Sequence, residues 1–375
     1  MEVILSLMVD GLAGDCAVMR IAFRTDAASQ IGTGHFMRCL TLADALKQCG
    51  ARIRFISREL PVHLRNMLVT KGMELVSLEG NVVGSLPTDE LVHAHWLGTS
   101  QAQDAEATIQ ALSDQTWDWL IVDHYALDAR WESAMRQTTK KIMVIDDIAD
   151  RKHDCDVLLD QNFYADMQTR YVDKVPAHCQ LLLGPRYALL RDEFRKLHEQ
   201  VQPRTGSVKR ILVFFGGVDA DNYTGLAIDA LAGLSDNGLH VDVVIGTQHP
   251  CRAEIETNCA AQGFVCHVQT DRMAELMVAA DLAIGAGGSA SWERCCLGLP
   301  ALLVALAENQ INIAKALDLI GACIYIGELK SKDMLIMRNA VDNLLRNQDQ
   351  LMALSRKAYS LVDGLGVNRI CQKMI

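Results

Sequence analysis

Two α/β halves, each built on a parallel sheet, are what the sequence predicts, and three observations carry that reading. Short β-branched or aromatic runs alternate with helical patterns of about 10–15 residues, the mark of strand–helix–strand units. The alternation stops at the polar stretch HEQVQPRTGSVK (198–209) and then starts again. The chain of 375 residues is also long enough for two domains of about 100–200 residues each.

Taken in order, the first eighteen residues, MEVILSLMVDGLAGDCAV, carry Glu2, Asp10 and Asp15 and no Lys or Arg. They lack the positive start of a secretory signal, and their apolar stretch falls short of the roughly 20 residues of a membrane span. Residues 1–18 are therefore expected to be an extension outside the fold or the product of a misassigned start. RIAFR (20–24) is the first strand, and FMRCLTLADALKQC (36–49) the first helix, with Leu40, Ala43 and Leu46 at helical spacing. RIRFIS (52–57), WDWLIVDHY (117–125) and KIMVIDD (141–147) read as further strands, while 80–105 reads as an irregular loop or insertion.

No apolar periodicity crosses 198–209, and Pro203 and Gly206 lie within it, so it reads as a linker. This gives an N-terminal domain over 19–200 and a C-terminal domain over 205–375. RILVFFGG (210–217), VDVVIG (241–246), FVCHVQ (264–269), DLAIGAGG (281–288) and ALLVAL (301–306) supply the second set of strands. Ligands of open parallel sheets sit outside the carboxyl ends of the strands, which directs attention to the loops after residues 24, 122, 145, 215 and 284.

Composition narrows the class of partner. With 36 Lys+Arg against 46 Asp+Glu, a formal charge of -10 offers no footprint for a phosphate backbone or an anionic bilayer. Nucleic acid and membrane are excluded as expected partners, and the protein is expected to be cytoplasmic and monomeric. The 12 cysteines are spread through apolar segments without C-x-x-C spacing, as reduced core cysteines are. Cys259, Cys266 and His267 lack the paired ligands zinc requires, and no metal or cofactor is expected.

Two glycine-rich loops carry the chemistry. In RTDAASQIGTGHFMR (24–38), Gly32 and Gly34 allow close backbone approach at a helix N-terminus, where unpaired N–H groups favour an anion. Met37 stands where a dinucleotide fingerprint needs its third glycine, which speaks against nicotinamide binding. His35 follows Gly34. The positive end of the helix dipole disfavours its protonated form, so the position suits a neutral general base, although a helix-capping histidine has the same signature. In GAGGSASWERCCLGLPALLVALAENQ (285–310), Gly287 and Gly288 open a helix with Ser289 and Ser291 in its first turn. Glu293 can accept from both hydroxyls of a ribose, and Asn309 and Gln310 follow the next strand. Taken alone, Glu293 is equally a solvated helix residue.

These segments, with IVDHYALD (121–128), VIDDIADR (144–151), YALLRDEF (187–194) and FFGGVDADN (214–222), resemble the UDP-2,4-diacetamido-2,4,6-trideoxy-β-L-altropyranose hydrolases of pseudaminic acid biosynthesis. Those enzymes are relatives of the inverting GT-B glycosyltransferases, including the one that makes lipid II. The resemblance runs from Met19 to the C-terminus. It implies two Rossmann-like domains facing across a cleft, and UDP held mainly by the C-terminal domain. It also implies water attack at the anomeric carbon with inversion. The family's catalytic base falls on His35 and its ribose-binding glutamate on Glu293. Tyr125 is a second catalytic-site residue that orients water or sugar, or else a boundary aromatic. Arg191 offers a fork of donors to acyl groups or diphosphate, or pairs with Asp192 or Glu193 on a helix surface. The substrate-binding set is then Gly34, Arg191, Gly288, Ser289, Glu293 and Asn309. Asp146 and Asp147 line the cleft or cap the segment after their strand. A UDP-sugar glycosyltransferase, a UDP-N-acetylglucosamine 2-epimerase and a non-catalytic nucleotide-binding module remain open alternatives.

Overall fold

The structure, a computed structural model, describes residues 18–28, 30–78, 89–234, 238–329 and 333–375, with Asn309 described in its backbone only. The expectation for residues 1–18 falls, Val18 apart, outside them. Thirteen strands are used below: β1 Arg20–Thr25, β2 Arg52–Ser57, β3 Glu74–Ser77, β4 Trp117–Asp123, β5 Thr139–Ile145, β6 Val157–Asp160, β7 Gln180–Leu183, β8 Arg210–Phe214, β9 His240–Ile245, β10 Val265–Val268, β11 Leu282–Ala286, β12 Ala301–Val304 and β13 Ile324–Tyr325.

Among the described residues these make a seven-stranded sheet of order β3-β2-β1-β4-β5-β6-β7 and a six-stranded sheet of order β10-β9-β8-β11-β12-β13. β1 runs parallel to both β2 and β4, and β8 to both β9 and β11. In each sheet the order reverses beside the first strand, between β1 and β4 and between β8 and β11. Loops leaving the carboxyl ends diverge at such a point, which is where open α/β sheets bind ligands.

By packing, the chain divides into two compact units, Met1–Cys39 with Ala43–Met143, and Leu40–Leu42 with Val144–Ile375. β6, β7 and the helix Asp192–His198 thus pack with the second unit. Phe194 of that helix is fully buried in a cluster with Trp292, Cys296 and Leu297. Along β8 the side chains alternate between two cores: Leu212 joins that cluster, while Ile211 and Val213 join a second one with Ile284 and Leu302. A strand covered on both faces is why RILVF reads as an unbroken apolar run.

Three segments hold contacts that the sequence does not announce. The stretch 80–105 is not irregular throughout: it holds a 3₁₀ helix, Ala94–Leu97, and the start of the helix Gln101–Leu112. Ser100 and Gln103 close a reciprocal capping box at that start, a signature that is easily lost in a polar run. The segment 198–209 is not a loose tether. The Arg204 guanidinium donates to the carbonyls of Met277, Val278, Ala280 and Leu297, and its backbone N–H to Ser355 Oγ. Finally, the C-terminal helix Gly366–Met374 lies on the 3₁₀ turn Pro185–Tyr187, where a Cβ at Gly366 would meet the Ala188 carbonyl oxygen at 2.3 Å.

Candidate functional site

In the first unit, β1 and β4 pair with Thr25 opposite Asp123, so Asp123 sits level with the start of the loop that leads to His35. Gly32 takes a positive φ of 75°, a turn that suits glycine, and the helix Gly34–Gln48 follows without a side-chain cap at Thr33. His35 lies in its first turn and Arg38 one turn on. His35 Nδ1 is 2.6 Å from Asp123 Oδ1. Arg38 grips the same carboxylate through Nε to Oδ2 at 2.6 Å and Nη2 to Oδ1 at 2.7 Å.

Asp123 is fully buried. Burial opposes its ionisation, but the Arg38 guanidinium and then His35 outweigh it and hold the carboxyl well below the usual carboxylate range. An ionised oxygen at that distance requires Nδ1 to carry the proton, which leaves Nε2 as the acceptor of the ring. In geometry the arrangement matches pairs in which a carboxylate orients a histidine base. Aromatic rings surround it. Tyr125 packs edge-to-face on His35 with centroids 4.6 Å apart, and Trp96 stacks on Tyr125 at 5.4 Å. His93 joins both at 4.6 and 5.2 Å. Tyr125 is 4% exposed, so its ring is buried against His35 rather than at a boundary. A cavity of about 280 Å³ opens next to it among Leu91, His95, Leu97, Gln101 and Ala126.

Beneath the site, Arg24, Asp26, Asp104 and His124 form a buried polar network. Arg24 bridges Asp26 at 2.8 Å and Asp104 at 2.8 Å, and His124 Nε2 is 3.2 Å from Asp26 Oδ2. Burial lowers the His124 pKa against the opposing pull of Asp26, and His124 Nδ1 accepts from Ala126 N–H at 3.1 Å. A neutral ring with a fixed tautomer thus locks the turn between Asp123 and Tyr125.

The second unit contains the other predicted residues. At the carboxyl end of β11, Gly287 and Gly288 lead to Ser289, whose side chain makes no cap bond to the helix Ala290–Cys296. A Cβ at Gly34 would meet nothing within 4 Å, and one at Gly288 only Gln310 Nε2 at 3.7 Å. Neither glycine is demanded by the fold. Glu293 is partly buried, its pKa raised by burial and lowered in turn by Arg191 and Arg294. Arg191 precedes the helix Asp192–His198, pairs with Glu193 at 2.9 Å and stands 3.8 Å from Glu293. Asn309 is the second residue of the helix Glu308–Leu319, and its side chain lies outside the described residues. Asp146 turns out to be a structural acceptor, bound by Ala149 N–H at 2.9 Å and by Arg151 at 2.9 Å.

The residues the sequence does not single out are Asp123, Arg38, Trp96 and His93. Asp123 stands in view within IVDHYALD, but its partner lies 88 positions away. Trp96 and His93 fall in the polar stretch that reads as an insertion.

Residues 210–366 match the Glycosyltransferase family 28 C-terminal domain. The chain is similar in structure to MurG of Acinetobacter baumannii, with a TM-score of 0.64 at 14% identity, covering 95% of this chain and 99% of that one. The fold is GT-B. A putative UDP-N-acetylglucosamine 2-epimerase of Listeria monocytogenes shares it, with a TM-score of 0.59 at 11% identity over 94% and 95% of the two chains.

Among curated relatives, UDP-2,4-diacetamido-2,4,6-trideoxy-β-L-altropyranose hydrolase of Campylobacter jejuni is 26% identical over 54% of this chain and 62% of its own. The spore coat polysaccharide biosynthesis protein SpsG of Bacillus subtilis is 23% identical over 94% of this chain and 96% of its own. Uncharacterized protein MJ1062 of Methanocaldococcus jannaschii is 24% identical over 78% of this chain and 57% of its own. The match therefore spans under two thirds of the Campylobacter and Methanocaldococcus proteins. Among the described residues no helix is long and apolar enough to cross a membrane.

Proposed function

We propose that the protein hydrolyses a UDP-sugar, with UDP-2,4-diacetamido-2,4,6-trideoxy-β-L-altropyranose as its substrate, by water attack at the anomeric carbon with inversion. The observation that carries this reading is the His35–Asp123–Arg38 constellation at the strand-order reversal of the first sheet. Nε2 of His35 takes a proton from the attacking water, and the Asp123 carboxylate stabilises the imidazolium that forms. As the anomeric C–O bond breaks, UDP leaves with both electrons of that bond. Ser289, the N–H groups around Gly288 and the Arg191 guanidinium are the groups offered to its phosphates, and Glu293 to its ribose. Tyr125 and Trp96 wall the pocket and exclude bulk water from His35. The D-x-D that follows β8, Asp219-Ala220-Asp221, spends its first carboxylate on the N–H groups of Tyr223 and Thr224, and turnover is expected to persist in EDTA.

The family 28 match and the MurG fold favour one second reading, transfer of the sugar to an acceptor other than water. Purified protein incubated with the UDP-sugar and no acceptor separates the two. Release of UDP and of the free, inverted sugar supports hydrolysis, whereas UDP release that begins only when an acceptor is added supports transfer.

A further inference from the structure

The motif VIDDIADR plays no part in the proposed chemistry, yet its aspartates open a chain of buried hydrogen bonds that ends one residue short of Glu293. Asp146 follows β5 and Asp160 closes β6; they are 0% and 1% exposed. Between them stands the Tyr171 hydroxyl, 3.0 Å from Asp146 Oδ2 and 3.1 Å from Asp160 Oδ2. One hydroxyl proton serves one of these oxygens, so the other contact requires a proton on a carboxyl. From the same cluster Asp160 Oδ1 accepts the Asn162 N–H at 3.0 Å, and Asp147 Oδ2 accepts from Asn162 Nδ2 at 3.1 Å. The remaining end of the Asn162 carboxamide, Oδ1, accepts from Trp292 Nε1 at 3.1 Å, across 130 positions of sequence. Trp292 is 1% exposed and precedes Glu293 on the helix that follows Ser289.

We propose that Asn162 is a positioning residue for the nucleotide: its carboxamide fastens the helix bearing Ser289 and Glu293, through Trp292, to the carboxyl cluster of Asp146, Asp147 and Asp160. The role rests on the reading of Ser289 and Glu293 as nucleotide-binding residues. Only a carboxamide fits this place, because it must donate to a carboxylate on one side and accept an indole N–H on the other. Aspartate there would keep the second bond and set a negative charge against Asp147.

The groups that face Asp160 are Asp146 and Asp147 after β5, Tyr164 and Tyr171, and Arg170, whose Nε is 3.5 Å from Asp160 Oδ2. Arg151 and His153 face Asp146. Burial, with Asp147 next, pushes the Asp160 carboxyl up to about 8. The shared proton is therefore present at neutral pH and lost in mild alkali, where UDP affinity should fall.

The test is UDP titration by calorimetry on the full chain, from pH 6.5 to 9, for wild type, Asn162→Ala, Asn162→Asp, Trp292→Phe, the double variant Asn162→Ala/Trp292→Phe, and Asp160→Asn. Breaking the Asp147–Asn162–Trp292 link, by loss of one hydrogen bond in Asn162→Asp and Trp292→Phe and of two in Asn162→Ala, corresponds to UDP binding about three- to tenfold weaker in each of these variants, with kcat at saturation little changed. The double variant should be no weaker than Asn162→Ala, which by itself already breaks both bonds of the link. Asp160→Asn should flatten the alkaline fall in affinity. Wild-type affinity in folded Asn162→Asp and Trp292→Phe, or independent additive losses, would overturn the positioning role alone. A wild type that binds no UDP would overturn it together with the nucleotide reading on which it rests.

Discussion

Replacing Asp123 by Asn keeps the shape of the site and removes what the proposed mechanism needs for His35 to act as a base. In the native site the two carboxylate oxygens accept three strong donors: His35 Nδ1 at 2.6 Å and Arg38 through Nε and Nη2 at 2.6 and 2.7 Å. A carboxamide has one acceptor oxygen. If it turns that oxygen to Arg38, its NH₂ faces His35 Nδ1, which must then accept, and the ring proton moves to Nε2. The lone pair needed to take a proton from water is lost. General-base assistance is worth about 10²–10⁴-fold, so kcat should fall by that factor, equivalent to about 3–5 kcal/mol of barrier. Arg38 is left without its counter-ion in a site where its side chain is 9% exposed, which adds a stability cost of about 3–5 kcal/mol at most. The assay is continuous UDP release at saturating UDP-sugar, run well below the variant's Tm, with UDP affinity measured in parallel. Affinity should be unchanged, since the groups assigned to UDP lie in the second unit. A folded Asp123→Asn protein with kcat within about threefold of wild type would refute the reasoning.

Other predictions use the same geometry. Gly34→Ala and Gly288→Ala have room for the added methyl group and should fold with a Tm at or above that of wild type, while weakening substrate or UDP binding because the methyl occupies space meant for ligand; a drop in Tm for either would contradict the open space seen there. Asp160, held near 8 in the fold against about 3.9 unfolded, keeps a proton that the unfolded chain releases, so stability should decline between about pH 4 and pH 8 by up to about 1.4 kcal/mol per unit. Asp160→Asn should remove that decline, and parallel denaturation curves for the two proteins across this range would rule it out. Arg204→Ala strips the carbonyls of Met277, Val278, Ala280 and Leu297 of a shared donor and should destabilise the second unit by several kcal/mol with no change in UDP affinity, as read by urea melts and calorimetry.

Much of the fold was legible because parallel strands buried on both faces leave unbroken apolar runs. RIAFR, WDWLIVD, RILVF and ALLV stand out from the helical spacing between them. The placement of His35 was legible too, since Gly-x-Gly-His after a strand marks a helix start without any knowledge of partners. What could not be read is pairing over distance. Nothing in the letters links Asp123 to Arg38, Arg24 to Asp104, or Asn162 to Trp292, because those contacts depend on strand order, and strand order in a parallel sheet is set by crossovers rather than by neighbours in sequence. Trp96 escaped for a different reason: it sits in a 3₁₀ turn inside a polar stretch, where no periodicity flags a half-buried ring.

The central claim is that His35, held by Asp123, activates water against a UDP-sugar. The most direct measurement is NMR of the wild-type and His35→Ala proteins incubated with UDP-2,4-diacetamido-2,4,6-trideoxy-β-L-altropyranose in EDTA and without acceptor. The account predicts UDP and the free sugar of inverted anomeric configuration from wild type, and turnover lower by at least about 10²-fold from His35→Ala with UDP affinity retained. Retention of configuration, a returned UDP-sugar epimer, or near-native turnover by His35→Ala would contradict it.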